Sequence, residues 1–479
     1  MTADRSAIIL CGLGYGDEGK GTWTDFLARS EPVHTVVRFN GGAQAGHNVV
    51  TPDGRHHTFA QFGSGTFVRG VSTHLSHFML LNPMRLLHEN DQLHGLGVTD
   101  ALARLTIDRQ APVTTPFQVA ANRLRELARG DARHGSCGMG IGETMADWLA
   151  FGERTVLAGD LSDAITLRRK LQFVQELKRE QLRETVAALP RTEAVERERR
   201  VLDGDDAIDA CIRAYTHVAG QARLVDGSFL GELLELPGAV VFEGAQGVLL
   251  DEWHGFHPYT TWSTTTFKNA LTLLHEQAYD GEIVKLGLLR AYMTRHGAGP
   301  LVGESPDLRS AFRDPYNVMN DWQQGFRVGH FDAVASRYAV EVTGRPDLLA
   351  VSHLDQLAAA PASQMAVAYR YGGDAADLTG YVDAENGLVI RLRPSPTPED
   401  LEYQARLTEI VERCEPVYRR IDGGAGGLLD AIQRQLGVAV ALTSSGPSAA
   451  EKRTWKPRFS GRAGASHRHR MRTALGAPA

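Results

Sequence analysis

Cysteine is scarce and unpaired in this chain of 479 residues. Cys11, Cys137, Cys211 and Cys414 show no C-x-x-C spacing. That pattern offers neither a disulfide framework nor a zinc-ligand set, and it fits reduced thiols in a cytoplasmic protein. Long apolar runs are missing too, and none approaches the roughly 20 residues that a membrane span requires. Met1 to Arg5 leads straight into a strand of about four residues, so no signal peptide is expected. No internal repeat is visible. Acid outweighs base, with a net charge of −6, but unevenly. Lys452 to Arg472 holds eight Lys or Arg and no acid, leaving −14 on the rest. Such a basic arm could meet nucleic acid or an acidic partner, but like-charge blocks are commonly solvated and irregular. A basic, irregular tail over 451–479 is therefore expected, with nucleic acid not among the expected partners.

What is present is glycine, 50 residues of it, placed after apolar runs. Hydrophobic residues make up 43% of the chain, ample for a packed core. The length allows one large domain with insertions or two domains. Ala7-Ile8-Ile9-Leu10 reads as a buried strand, and Cys11-Gly12-Leu13-Gly14-Tyr15-Gly16-Asp17-Glu18-Gly19-Lys20-Gly21 follows it. Gly14 to Lys20 has the G-x4-G-K spacing of a phosphate-binding loop, but Gly21 stands where Ser or Thr should hold magnesium. Thr22 to Arg29 can continue as a helix. Backbone N–H groups and Lys20 suit an anion. Asp17 does not, unless a metal or a proton intervenes, so it reads as chemistry rather than binding.

Further strand-like runs are Thr35–Phe39, His77–Leu81, Ala239–Glu243, Ile283–Leu288, Leu348–Val351 and Val438–Leu442. Near-continuous apolar runs separated by helical stretches point to an α/β fold: a large, mostly parallel sheet flanked by helices. Asp163 to Leu189 is a long charged helix that Pro190 ends. Residues 160–235 read as a helical insertion and Gly423–Gly427 as a flexible joint.

Four later patches also follow strands. In Asn40-Gly41-Gly42-Ala43-Gln44-Ala45-Gly46-His47, His47 titrates near neutrality and could act as an acid opposite Asp17. A His that merely hydrogen-bonds a loop is the plainer alternative. In Phe242-Glu243-Gly244-Ala245-Gln246-Gly247, Gln246 can offer a donor and an acceptor to a ring amide. In Ser352-His353-Leu354-Asp355, Asp355 can accept from both the ring N–H and the exocyclic amine of guanine. Ser444-Ser445-Gly446-Pro447 forms a tight turn that could pack on a base. Ligands of open α/β sheets bind beyond the carboxyl ends of the strands, where all these patches fall.

The ordered set Gly16–Gly21, Gly41–His47, Phe242–Asp251, Ala291-Tyr292-Met293-Thr294-Arg295 with Gly297-Ala298-Gly299-Pro300, and Ser445-Gly446-Pro447 resembles the adenylosuccinate synthetase family over roughly residues 5–450. The resemblance implies a single domain over 1–450 and a GTP-dependent ligation. GTP phosphorylates the 6-oxygen of IMP, and the amine of aspartate then displaces phosphate. It implies that Asp17 is the base and a Mg²⁺ ligand, that His47 is the acid, and that Lys20 neutralises the γ-phosphate. The Gly46 carbonyl would ligate Mg²⁺ and Gln246 would steady the purine. Gly16, Glu18, Gly19, Gly21, His353, Asp355, Ser445 and Gly446 would line the GTP site. Gln44, Ser136, Cys137, Thr261 and Arg327 would face the substrates. A homodimer is implied as well.

Departures cluster on the substrate side. The family's phosphate loop G-T-T-G-R-G-I-G is Gly135-Ser136-Cys137-Gly138-Met139-Gly140-Ile141-Gly142 here. Phe151 aligns with an Arg donated across the family's dimer, with Arg154 close by, and Gln44 replaces an Asn. In the aspartate loop Arg327 survives, while Gln324 and Phe326 stand where a carboxylate clamp belongs. His353 replaces a Lys near guanine. Three readings follow. The chain is a GTP-dependent ligase with a substrate pair other than IMP plus aspartate; or it makes adenylosuccinate, with Arg154, Arg295, Arg327 or the tail supplying charge; or it binds GTP without ligating. Asp17 and His47 argue against the last, and the changed loops favour the first.

Overall fold

The computed structural model of the chain describes residues 5–130, 136–204, 206–312, 314, 322, 325–359 and 363–455. Among these, a ten-stranded sheet runs through the molecule. Its strands are β1 (Arg5–Gly12), β2 (Val33–Arg38), β3 (Ser72–Leu75), β4 (Leu105–Asp108), β5 (Arg223–Val225), β6 (Gly238–Glu243), β7 (Glu282–Arg290), β8 (Leu348–Ser352), β9 (Val440–Ser444) and β10 (Lys452–Thr454). The spatial order is β10-β9-β8-β7-β1-β6-β2-β3-β4-β5. All neighbours are parallel except the antiparallel β9–β10 edge pair.

β1 explains why the apolar runs are continuous. Ile8 and Leu10 pack on one face, with Trp23 and Leu27 of helix α1 (Lys20–Ser30). Ala7, Ile9 and Cys11 pack on the other, with Phe39, Phe242 and Leu289. A strand covered on both faces has no polar side to alternate with. β1 also lies at the centre, between β6 and β7. The loops after β1, β2, β6, β7, β8 and β9 therefore gather along one edge, which is where such sheets bind ligands.

Two expectations are corrected and two gain detail. His77–Leu81 is not a strand. β3 ends at Leu75, and the run continues as turns with single bridges from Leu80 to Gly42 and from Leu81 to Val113. Met79, Leu80 and Leu81 are buried all the same, because an apolar run reports burial rather than pairing. The 160–235 segment is largely helical, with Ala164–Ala188 capped by Asp163. It is not separate from the sheet, however, since it returns to it as β5 beside β4. Gly423–Gly427 is no loose joint. It opens the helix Gly424–Leu436, and a Cβ on Gly427 would sit 1.8 Å from the Asp422 carbonyl oxygen. The basic segment begins as β10, with Lys452 buried against α1, and residues 456–479 lie outside the described set.

Candidate active site

The loop after β1 is tied down from two sides. Leu249 N–H donates to the Gly14 carbonyl at 3.0 Å, and Ser352 Oγ donates to the Glu18 carbonyl at 3.1 Å. Gly19, at φ 84°, turns the chain into α1, whose first residue is Lys20. Glu18 folds back into its own loop. It accepts from Gly16 N–H at 2.8 Å and from Lys20 Nζ at 3.1 Å, while Lys20 also donates to the Gly16 carbonyl at 2.8 Å. An arriving phosphate would compete with Glu18 for the Lys20 ammonium. Gly21 has a steric reason as well: a Cβ there would lie 2.8 Å from His47 Cβ. A Walker hydroxyl has no room at that position.

His47 starts the strand His47–Val50, which packs against α1. Its Nδ1 lies 2.7 Å from Glu243 Oε1, at the carboxyl end of β6. Glu243 also accepts from Ser64 N–H at 2.9 Å and from the Ser64 hydroxyl. Burial drives the His47 pKa down to about 4, against the pull of Glu243. Burial alone would raise Glu243, but His47, Arg38 and Ser64 together hold its carboxyl below the usual range. The imidazole is then neutral with Nδ1–H aimed at the carboxylate, which leaves Nε2 for a substrate. The sequence assigns Glu243 no role of its own, although an acid closing an otherwise apolar strand is a readable signal.

Asp17 is about a fifth exposed, and its Oδ2 has no hydrogen-bond partner. Burial raises its pKa, against the attraction of His296 and Arg290. Two amides nearby are likewise unspent: Gln246 Oε1, and both Nε2 and Oε1 of Gln44. All three residues border glycines that leave them room, since a Cβ on Gly41 would come within 3.4 Å of both amides and one on Gly16 within 3.4 Å of Gln246. Gln246 holds φ at 58°, a left-handed conformation costly for a residue with a side chain and common at functional sites. Asn40 clamps the loops, exchanging two hydrogen bonds with Ala245 at 3.0 and 2.7 Å. The result is a carboxylate oxygen, an amide donor and two amide acceptors, each atom buried and unsatisfied. One carboxylate with an unpartnered oxygen, beside a phosphate loop, also fits Mg²⁺, which takes one or two carboxylates and completes its shell with phosphates and water.

His353 follows β8 at φ 61°, its Nδ1 2.8 Å from Ser352 Oγ. Asp355 is exposed, with Oδ2 accepting from Gln356 at 2.8 Å. Ser445 and Gly446 follow β9, and this turn reaches α1, where Thr22 Oγ1 donates to the Pro447 carbonyl at 2.7 Å. β1, β8 and β9 thus bring the expected GTP residues to one edge.

The substrate side is spent differently. Ser136 Oγ accepts from Asn122 at 3.0 Å, and burial raises the Cys137 thiol to about 11. The segment leads into helix α2 (Ile141–Phe151) through Gly140. Trp322 lies over Gly138, where an added Cβ would come within 3.0 Å of the indole. Arg123 sits over that indole at 5.5 Å and is tied to Glu198 and to the Gly138 carbonyl. Thr261 N–H donates to the Leu250 carbonyl at 2.8 Å. Arg327 Nε pairs with Glu304 at 2.9 Å, and its Nη1 donates to the Gly297 and Gly299 carbonyls. Arg295 is buried on the carbonyls of Ala298, Pro300 and Tyr259. Arg154 stacks on Phe173 at 4.3 Å. Gly135 and Gln324 fall outside the described residues.

Residues 9–452 match the family pattern described as adenylosuccinate synthetase. The adenylosuccinate synthetase of Saccharopolyspora erythraea is 34% identical over 377 residues, covering 77% of this chain and 82% of that protein. That of Anaeromyxobacter dehalogenans is 32% identical, covering 87% of each. The fully ligated Plasmodium falciparum adenylosuccinate synthetase shares the fold, with a TM-score of 0.73 at 20% identity over 95% of this chain and all of that one. The succinoaminodeoxyadenylate synthetase of cyanophage S-2L, bound to dGMP and dATP, matches at a TM-score of 0.57 and 16% identity over 94% and 95%. The chain belongs to the adenylosuccinate synthetase family, GTP-dependent ligases that form C–N bonds.

Proposed function

We propose that this ligase activates a ring carbonyl of an oxopurine-like acceptor with GTP and couples it to an amine, and that its preferred pair is not IMP plus aspartate. The observation that carries this is where the cations go. Arg327 is paired with Glu304, Arg295 is spent on three carbonyls, and Trp322 covers Gly138 beside Cys137. A dicarboxylate needs a bidentate clamp, and a 5′-phosphate needs charge-assisted donors.

In the reaction, Asp17 takes the ring N–H proton while the carbonyl oxygen attacks the γ-phosphorus. The new O–P bond forms as the bond to the β-phosphate bridge breaks, and GDP leaves. The amine then attacks the ring carbon, and inorganic phosphate departs with the C–O bond. Lys20 and the glycine-loop N–H groups meet charge on the phosphates. His47, oriented by Glu243, presents Nε2 to the transferring group, and the negative charge of bound phosphates favours the protonated ring that can donate there. Gln246 and Gln44 meet the polar edge of the acceptor. Mg²⁺, held by Asp17 and the Gly46 carbonyl, would neutralise phosphate charge when bound. Catalysis of this kind rests on positioning and electrostatics. Asp355 would read guanine, with His353, Ser445 and Gly446 around the base.

The test is GTP-dependent phosphate release with IMP, inosine, dGMP and guanosine, each with L-aspartate and with a panel of monocarboxylate amino acids. IMP plus L-aspartate is expected to turn over slower than another pair. If it is the fastest, the substrate reading is wrong and the chain makes adenylosuccinate. That second reading draws on α2, whose N-terminus at Gly140 still offers backbone N–H groups to a phosphate. A homodimer in the cytoplasm is part of the proposal. No helix among the described residues is long and apolar enough to cross a membrane.

A further inference from the structure

The carboxylate of Asp17 is approached by a ring that the motifs leave unassigned. His296 Nε2 lies 3.8 Å from Asp17 Oδ2, the oxygen that has no hydrogen-bond partner. His296 ends the strand Met293–His296, paired in antiparallel register with Phe326–Gly329. Its position is fixed from both sides. Arg295, the residue before it, is anchored on three backbone carbonyls. Its own ring packs 4.9 Å from the ring of Phe326, its cross-strand partner. Phe326 occupies a position where a carboxylate clamp was expected, so the residue that removes the clamp also supports this imidazole.

We propose that His296 is a positioning residue for Asp17, its Nε2–H steering one carboxylate oxygen so that the other faces the ring proton of the acceptor. The contact is about 0.6 Å longer than the upper end of an ordinary hydrogen bond, and catalytic contacts commonly tighten once substrate is bound. A donor N–H is sufficient for the role, and no charge on the ring is needed. The inference rests on Asp17 being the base, not on which acceptor is used.

The experiment compares Asp17→Asn, His296→Leu and His296→Gln in the full chain. Phosphate release is measured with GTP and Mg²⁺ for IMP plus L-aspartate, dGMP plus L-aspartate, and whichever panel pair is fastest in the unmutated enzyme. His296→Leu is expected to lower kcat about tenfold or more, with the KM for GTP within about twofold, because small misplacements of a catalytic group are costly. His296→Gln, which keeps an N–H donor, should recover much of the loss. In ¹⁵N-histidine spectra, the His296 Nε2 signal should move on Asp17→Asn, with His296→Gln supplying the assignment. Equal damage from Leu and Gln, an unchanged kcat, or an Nε2 signal indifferent to Asp17→Asn would overturn the proposal. An active Asp17→Asn enzyme would instead remove Asp17 as the base, so the two failures are distinguishable.

Discussion

The loops that handle phosphate and the loops that would recognise the acceptor and amine line the same sheet edge, yet they commit their polar groups differently. Around the first glycine loop Lys20 is held by Glu18 and the Gly16 carbonyl, but several other groups are unspent: Asp17 Oδ2, Gln246 Oε1 and the Gln44 amide. Around the second region the arginines are already satisfied by the protein, Arg327 by Glu304 and Arg295 by carbonyls. An unsatisfied buried group carries a desolvation cost that a ligand can relieve, whereas a satisfied arginine must give up its partners first. The contrast teaches that counting charged residues near a site overstates what they can bind.

Breaking the first region should have the largest effect. Asp17→Asn is expected to lower kcat about a thousandfold, in line with removal of a general base, while GTP binding by calorimetry stays within a few-fold. A loss confined to GTP affinity would make Asp17 a binding residue only.

The His47–Glu243 pair should also be visible in stability. Because folding depresses the His47 pKa to about 4 from an ordinary 6.5, the unfolded chain binds the extra proton between those values. Stability should therefore fall as pH drops from about 6.5 to 4, by at most about 3 kcal/mol, and fall further below 4.5 as Glu243 is protonated. Urea unfolding at pH 7 and pH 5 measures it, and His47→Gln should flatten the upper part of that slope.

Asp355→Asn sharpens the comparison at the guanine end. The ratio of kcat/KM for GTP over ATP should fall about tenfold, because one of two accepted hydrogen bonds is lost. An unchanged ratio would show that another group reads the base.

The smallest effect tests the spent arginine directly. Glu304→Gln should loosen Arg327 and lower the KM for L-aspartate about fivefold, within the range of one charge-assisted contact. No change in steady-state KM would mean that Arg327 does not face the amine.

Much of the fold was legible because burial on both faces writes continuous apolar runs, as in Ile8 to Leu10 and Val240 to Phe242. His77–Leu81 misled because it is buried without being paired. The glycine loop was legible from spacing alone. Glu243 and His296 were not, because each faces a residue far away in sequence. His47 and Glu243 are 196 residues apart.

By itself, then, the sequence determined the phosphate loop, its acid and the strands that carry them, since these depend on local spacing and apolar pattern. Only the tertiary structure decided which polar groups remain available. That outcome is set by pairings between distant loops, such as Arg327 with Glu304 and Asp17 facing His296, and no local pattern encodes whether a charge is already satisfied.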